Sequence, residues 1–300
     1  MSAKKRNLFH SIIDGKYPSL GRNIRFLTSL IPDKQYISLQ YKRHMGERID
    51  WDNPVNFNEK LQWLKINWRD SLATKCADKY SVRDYIKKTI GEQYLTKLYG
   101  VYKNVNEINI DELPQKFVLK GTHGSAMNVI CSDKTKLNWK YEKGKFKNWL
   151  KTNYFYGNRE WVYKDITPRI ICEEHLGDNI TDYKLYCFNG EPTYWFVATD
   201  RNSGVRADYY ELDWEKAPFK WIYPSNITVP NKPEKSEEMI QLARKLSKPF
   251  PFVRVDFYEI EGEIYFGELT FFHGSGFGWY EPREYNDILG QMLTLPKKDK

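Results

Sequence analysis

No apolar run among the 300 residues approaches the roughly 20 that a bilayer-spanning helix needs. The N-terminus carries no apolar stretch followed by a small-residue cleavage site, so the expected location is the cytoplasm. Cysteine is scarce. Cys76, Cys131, Cys172 and Cys187 stand far apart, with no C-x-x-C pair and no histidines at zinc spacing, and they read as free buried thiols. No G-K-[ST] marks a P-loop, and no G-x-G-x-x-G follows a strand to suggest a dinucleotide fold. Zinc-finger spacing, recognition-module signatures and basic runs interleaved with stacking aromatics are missing as well, which removes nucleic acid from the expected partners. Internal repeats and low-complexity tracts are absent.

What is present is core material and positive charge. Length and apolar content suffice for one large domain or two to three packed subdomains. The net charge of +8 suits a polyanionic partner (nucleotide phosphates, an anionic polymer or an acidic membrane surface), or equally a solvated basic face. Residues 1–50 concentrate it, with ten Lys or Arg against four Asp or Glu.

The chain reads helical first and strand-rich later, an α+β pattern. Residues 8–70 read mainly as helix. Phe57, Leu61, Leu64 and Trp68 recur at helical spacing as a packing face, with Asn56 or Asn58 as N-cap. Further helical patterns cover 74–90, stopping near Gly91, and 236–246. Strands are expected at 117–120, 169–172, 183–188 and 252–260, and a surface loop over 217–233.

Three segments carry chemistry. In the most C-terminal, two strands flank Glu261-Gly262-Glu263. Alternation puts Arg254 and Asp256 on one face of the first strand and Glu268 and Thr270 on one face of the second. A three-residue loop then sets Asp256 opposite Glu268. Two facing carboxylates between apolar neighbours call for a counter-charge. Mg²⁺ supplies one, taking one or two protein carboxylates while phosphates and water complete its sphere. The plainer alternative is a surface ion pair between Arg254 and one acid.

In the second segment, 117–125, a strand ending in Lys120 runs into a loop with Gly121 and Gly124. Such a loop places a point charge and the close backbone of Gly124 and Ser125 against phosphate oxygens. His123 either touches a phosphate or satisfies the turn. In the third, an apolar strand at 170–172 runs into Glu173 and Glu174, and the chain returns with Asp182 and Lys184 on one face. That arrangement can form an adenosine pocket. The strand-end acid accepts from the adenine amino group, backbone near Leu176 pairs with the ring edge, and Asp182 accepts from ribose hydroxyls. Taken singly, each acid is equally a solvated surface group.

The order Lys79, Lys120, Glu173, Asp182, Arg254, Asp256, Glu268 resembles the ATP-grasp superfamily. More narrowly, residues 57–65, Asp78-Lys79, 120–125, Asp182-Tyr183-Lys184 and 268–272 are similar to its teichuronopeptide-biosynthesis (TupA-like) branch, over about residues 32–285. This resemblance implies an ATP-grasp fold, two α+β subdomains clasping ATP behind a helical N-terminal region. The implied boundaries are a helical region at 1–70 and an ATP-grasp domain at 71–300, with a nucleotide lid near 111–180 and a metal-binding subdomain near 181–290.

The resemblance also implies ATP and Mg²⁺ as cofactors, with Lys79 and Lys120 on the phosphates. Asp256 and Glu268 would hold the metal, joined by Thr270, which stands where ligases joining two amino acids carry Asn. Arg254, with backbone amides of Gly274-Ser275-Gly276, would stabilise an oxyanion, although that stretch reads equally as a plain turn. The implied reaction is carboxylate–amine ligation through an acyl phosphate. Its substrates would be a uronic acid of a cell-surface polysaccharide or lipid-linked precursor and an amino acid or amino sugar. The basic N-terminus suits the anionic glycan or the inner face of the membrane. The alternatives are a glycosyltransferase or sugar kinase of the same pathway, or a non-catalytic glycan-binding scaffold.

Overall fold

The computed structural model describes residues 29–178, 180–199 and 204–297. Part of the expected N-terminal helix and much of the basic cluster fall on residues 1–28, outside this range. In chain order the helices and strands are α1 (Asp33–Met45), α2 (Phe57–Asn67), α3 (Ser71–Ala77), α4 (Val82–Thr89), β1 (Leu98–Tyr102), β2 (Phe117–Gly121), β3 (Asn128–Cys131), α5 (Trp139–Trp149) and α6 (Phe155–Asn158). They continue with β4 (Ile170–Glu174), β5 (Asp182–Phe188), β6 (Glu191–Thr199), β7 (Arg206–Tyr210), α7 (Ser236–Ser247), β8 (Phe252–Ile260), β9 (Glu263–Thr270) and α8 (Tyr285–Met292). The class is α+β, and among the described residues no helix is long and apolar enough to cross a membrane.

The chain groups into two compact units. Unit 1 comprises the described residues up to Tyr36, with Thr74–Val82 and Thr96–Asp178. Its sheet is four-stranded and antiparallel, in the order β1-β4-β2-β3. Along β2, Phe117 and Leu119 turn inward onto Phe146 and Trp149 of α5, so Val118 and Lys120 occupy the opposite face. The expected 74–90 helix is broken, because the Asp78 carboxylate accepts from the Tyr80 amide (3.0 Å) and the Ser81 hydroxyl (2.7 Å). A side chain that satisfies its own backbone in this way competes with the helix ladder and ends α3.

Unit 2 comprises Ile37–Ala73, Arg83–Leu95 and the described residues after Asp178. Its five-stranded antiparallel sheet runs β7-β6-β5-β8-β9, with α7 packed across β5, β6 and β8. Helix α2 is entered through a capping box, in which Asn56 Oδ1 takes the Glu59 amide while Glu59 reaches back to the Asn56 amide. The 217–233 segment is a surface loop only in part. Ile227 and Val229 are exposed, but Ala217, Phe219 and Trp221 alternate into the interior, where Phe219 packs on Tyr209 and Trp221 on His273.

Candidate functional site

Strand register builds the charged cluster of unit 2. On β5, β8 and β9, Lys184, Asp256 and Glu268 form one cross-strand row, and Tyr186, Arg254 and Thr270 the next. Asp182 lies two residues along β5, on the same face. The expected opposition of Asp256 and Glu268 is present, but by a different route. The hairpin loop has two residues, Glu261 and Gly262, both at positive φ (52° and 76°), with Ile260 paired to Glu263. Such a loop alone would set Asp256 beside Gly267. A β-bulge between Asp256 and Phe257 restores the offset and brings Glu268 opposite Asp256.

The cluster is buried at Asp182, Lys184, Arg254 and Asp256, half-buried at Glu268 and Thr270, and densely bonded. Lys184 Nζ donates to Asp182 Oδ2 and to Asp256 Oδ2. Arg254 donates through Nε to Asp256 Oδ1 (2.7 Å), and through Nη2 to Asp256 Oδ2 (2.6 Å) and Glu268 Oε1 (3.1 Å). Its Nη1 donates to His273 Nδ1 (2.9 Å). A guanidinium has five N–H groups, so these bonds leave one on Nη1 over. Thr270 Oγ1 donates to Glu268 Oε1 at 3.2 Å. The expected alternative of a surface pair between Arg254 and one acid is therefore replaced by a buried network with two.

Burial pushes the Lys184 ammonium pKa down, with Asp256 opposing. Burial also works against the Arg254 charge, but Asp256 and then Glu268 outweigh it and hold its pKa above the ordinary guanidinium value. His273 is pushed well below the usual imidazole range by burial, then by Arg254 and Lys184. It is thus neutral, with Nδ1 accepting and the proton on Nε2. Three carboxylates face two cations, leaving one net negative charge.

The donor set fits a hard divalent cation, since the carboxylates of Asp256 and Glu268 and the Thr270 hydroxyl are all oxygens. Among the described residues no group of three or more His, Cys, Asp or Glu is arranged to hold a metal by itself. Any such ion would thus draw further oxygens from phosphate and water.

The turn after β9 is held from α2. Gly274 and Ser275 both sit at left-handed φ (54° and 55°) and Gly276 at 65°. Gln62 Nε2 donates to the carbonyls of Ser275 and Gly276 (2.8 Å each), Lys65 Nζ to that of Ser275 (2.9 Å), and Asn58 Nδ2 to that of Gly278 (2.7 Å). A Cβ on Gly276 would lie 2.4 Å from Gln62 Nε2 and 3.2 Å from the Asn58 carbonyl oxygen, at a φ that side-chain-bearing residues rarely adopt, so glycine is favoured here. The Ser275 amide donates to the Phe272 carbonyl at 2.8 Å. Lys65 is only 1% exposed and lies under the rings of Phe272 and Phe277.

Gln62, Lys65 and His273 were not singled out from sequence. The signal for the first two was a polar stripe, Asn58, Gln62, Lys65, at helical spacing beside the apolar one.

In unit 1, Lys79 is tied to the glycine-rich loop twice, its amide donating to the Thr122 carbonyl (3.1 Å) and its Nζ to the Gly124 carbonyl (3.0 Å). Lys120 Nζ lies 2.8 Å from Glu173 Oε2, on the sheet face opposite the core. Asp78 is paired with Arg169 at 3.1 Å. His123 is buried, with Nε2 2.8 Å from the Trp149 carbonyl, a contact that ties the loop to the end of α5. Burial lowers its pKa, and Lys79 adds to the effect. Ser125 is exposed, and Glu174 and Leu176 are half-buried at and beyond the end of β4.

The profile of the family described as TupA-like ATPgrasp matches residues 59–294. A comparison with curated proteins finds no match. Among solved structures, the chain is similar to the D-alanine–D-alanine ligase from Bacillus anthracis complexed with ATP (16% identity, 65% of this chain and 54% of that one, TM-score 0.40). It is likewise similar to the D-alanine–D-alanine ligase from Helicobacter pylori (16% identity, 79% and 69%, TM-score 0.41) and to phosphoribosylamine–glycine ligase from Thermotoga maritima (13% identity, 66% and 48%, TM-score 0.39). The chain thus spans about half the length of the first of these, and overlaps of this size transfer no residue roles. The family match, by contrast, runs through both units, from α2 to just past α8, and the chain belongs to the TupA-like ATP-grasp family.

Proposed function

We propose that this protein is an ATP-dependent carboxylate–amine ligase that works through an acyl phosphate. The observation that carries the reading is the row of buried Lys184 and Asp256 with half-buried Glu268, Arg254 bonded across it, in a chain of an ATP-grasp family. Asp256 and Glu268, with Thr270, are the residues to hold Mg²⁺, which when bound neutralises phosphate charge. Lys79 and Lys120 bind phosphate oxygens as point charges, alongside the backbone of His123, Gly124 and Ser125. Glu173, Glu174 and Leu176 take the adenine edge, and Asp182 and Lys184 the ribose and phosphate. The remaining Nη1–H of Arg254 is the donor to the developing oxyanion, while the Ser275 amide, already bonded to the Phe272 carbonyl, is not offered to it.

Family resemblance supports the finer reading. The carboxylate is a uronic acid of a cell-surface polysaccharide or lipid-linked precursor, the amine belongs to an amino acid or amino sugar, and the protein works in the cytoplasm near the inner membrane face.

Hydroxylamine present during ATP turnover tests the ligation. It should trap a hydroxamate of the acid substrate, whereas turnover without hydroxamate would indicate a sugar kinase. Titration calorimetry with Mg-ATP tests the residues. Asp256→Asn and Glu268→Gln should each weaken binding at least tenfold, and unchanged affinity in both would remove the metal assignment.

A further inference from the structure

Helix α5 and the turn after it carry a row of lysines without acidic partners, of which Lys143 alone also touches a ring, its Nζ lying 5.7 Å from the centroid of Trp139. Residues 133–151 contain seven lysines and two acids. Lysines off the row take the acids, Lys136 pairing with Asp133 (3.2 Å) and Lys145 with Glu142 (3.0 Å). Lys134 is spent on the carbonyls of Asp111 and Leu113. Lys140, Lys143, Lys147 and Lys151 remain, none of them ion-paired with an acid among the described residues. Steps of three and four residues put Lys140, Lys143 and Lys147 on one stripe of α5, about 4.5–6 Å apart along the axis, and Lys151 follows in the turn after the helix.

In the middle of the stripe stands Gly144, exposed, where an added Cβ would meet nothing within 4 Å. Apart from proline, glycine favours a helix interior least, and no packing here requires it. Its effect is a bare strip of backbone between Lys143 and Lys147.

We propose that this stripe is a binding track for an extended polyanionic glycan, a polyuronate whose successive carboxylates meet the lysines while its chain lies close over Gly144. Two features favour a glycan. Phe146 and Trp149 are buried in the unit 1 core, so α5 keeps no apolar face for a bilayer. For the same reason these rings are not available to stack bases. The sequence does interleave aromatics with lysines here, contrary to expectation, but the exposed ring, Tyr141, lies about 100° around the helix from the row. Between the last two lysines of the track stands Trp149, whose carbonyl holds His123 of the glycine-rich loop. Identifying the polyanion with the acceptor substrate rests on the function proposed above, but the binding itself does not.

The test uses the full chain without nucleotide and fluorescence anisotropy of labelled polygalacturonate oligomers. Dextran oligomers, phosphatidylserine vesicles and a single-stranded oligodeoxynucleotide are the comparators. Four contacts at the counterion-release slope of single-stranded polyanions predict a roughly 50-fold loss of affinity between 50 and 200 mM salt. Lys143→Gln/Lys147→Gln should weaken binding more than tenfold and about halve the salt slope. Gly144→Ala should weaken it several-fold while raising the melting temperature, and dextran should not bind.

Unchanged affinity in the double variant, or Gly144→Ala binding as tightly as wild type, overturns the track. So does tighter binding of vesicles or the oligonucleotide through the same lysines. A chain that binds polygalacturonate in this way yet yields no hydroxamate would sink the ligase reading and leave the track standing.

Discussion

Replacing Lys184 by methionine keeps the volume of the stem and removes one of the two cations from the buried cluster. Lys184 Nζ joins Asp182 to Asp256, so three carboxylates would then face Arg254 alone. Removing one partner of a buried ion pair costs about 3–5 kcal/mol, and urea unfolding at pH 7.5 should show a loss of that size. Adding Asp182→Asn returns the cluster to its original net charge and should recover roughly 1–3 kcal/mol as coupling between the two sites. Acidity separates charge from packing. A buried carboxylate that has lost its cation has a folded-state pKa above its unfolded value, so the folded state holds a proton that the unfolded state lacks. Lys184→Met should therefore regain stability as pH falls through that raised pKa and lose it towards neutrality. An equal loss at pH 5 and pH 8, or a larger one in the double variant, would mean that the stem carries the effect and the charge does not.

His273→Asn keeps an acceptor where Nδ1 meets Arg254, whereas His273→Phe fills the ring space without one. If the histidine orients Arg254, ligation kcat should fall at least tenfold in the phenylalanine variant with the KM for ATP unchanged, and the asparagine variant should stay within a few-fold of wild type. Stability should also fall in acid. His273 is neutral in the fold, with its pKa well below 6.5, so below pH 6.5 the unfolded chain binds a proton that the fold refuses. Between pH 7 and pH 5.5 this loss reaches at most about 1.3 kcal/mol, the limit set by an unfolded histidine against a fold that takes up no proton, and His273→Asn should be free of it over the same span of an unfolding-versus-pH series. Gly276→Ala forces a left-handed φ on alanine and drives its Cβ into Gln62, and thermal or urea unfolding should show a loss of about 1–3 kcal/mol.

The helix and strand cores with strong periodicity were legible in the sequence: α2, α7, β2, β4, β5 and β8 fall where apolar spacing puts them. Strands β1, β3, β6 and β7 were not, because a strand defined mainly by its neighbours in a sheet has weak local signal. The Asp256–Glu268 pairing is instructive, since it was expected on a three-residue loop and arises from a two-residue loop plus a bulge. Loop length and bulge are each weakly encoded, but their sum is fixed by which faces must be buried. A one-residue slip would turn the charges of Glu268 and Thr270 to the other face and Leu269 out of the core. That constraint made the functional pairing readable when the turn was not. The same logic explains what α2 concealed. Its apolar stripe gave it a sufficient reason to exist as a packing helix, so nothing local demanded a second role. Only the tertiary fold brings Asn58, Gln62 and Lys65 to the carbonyls of the 275–278 turn, and with them the reason a helix this apolar buries a lysine.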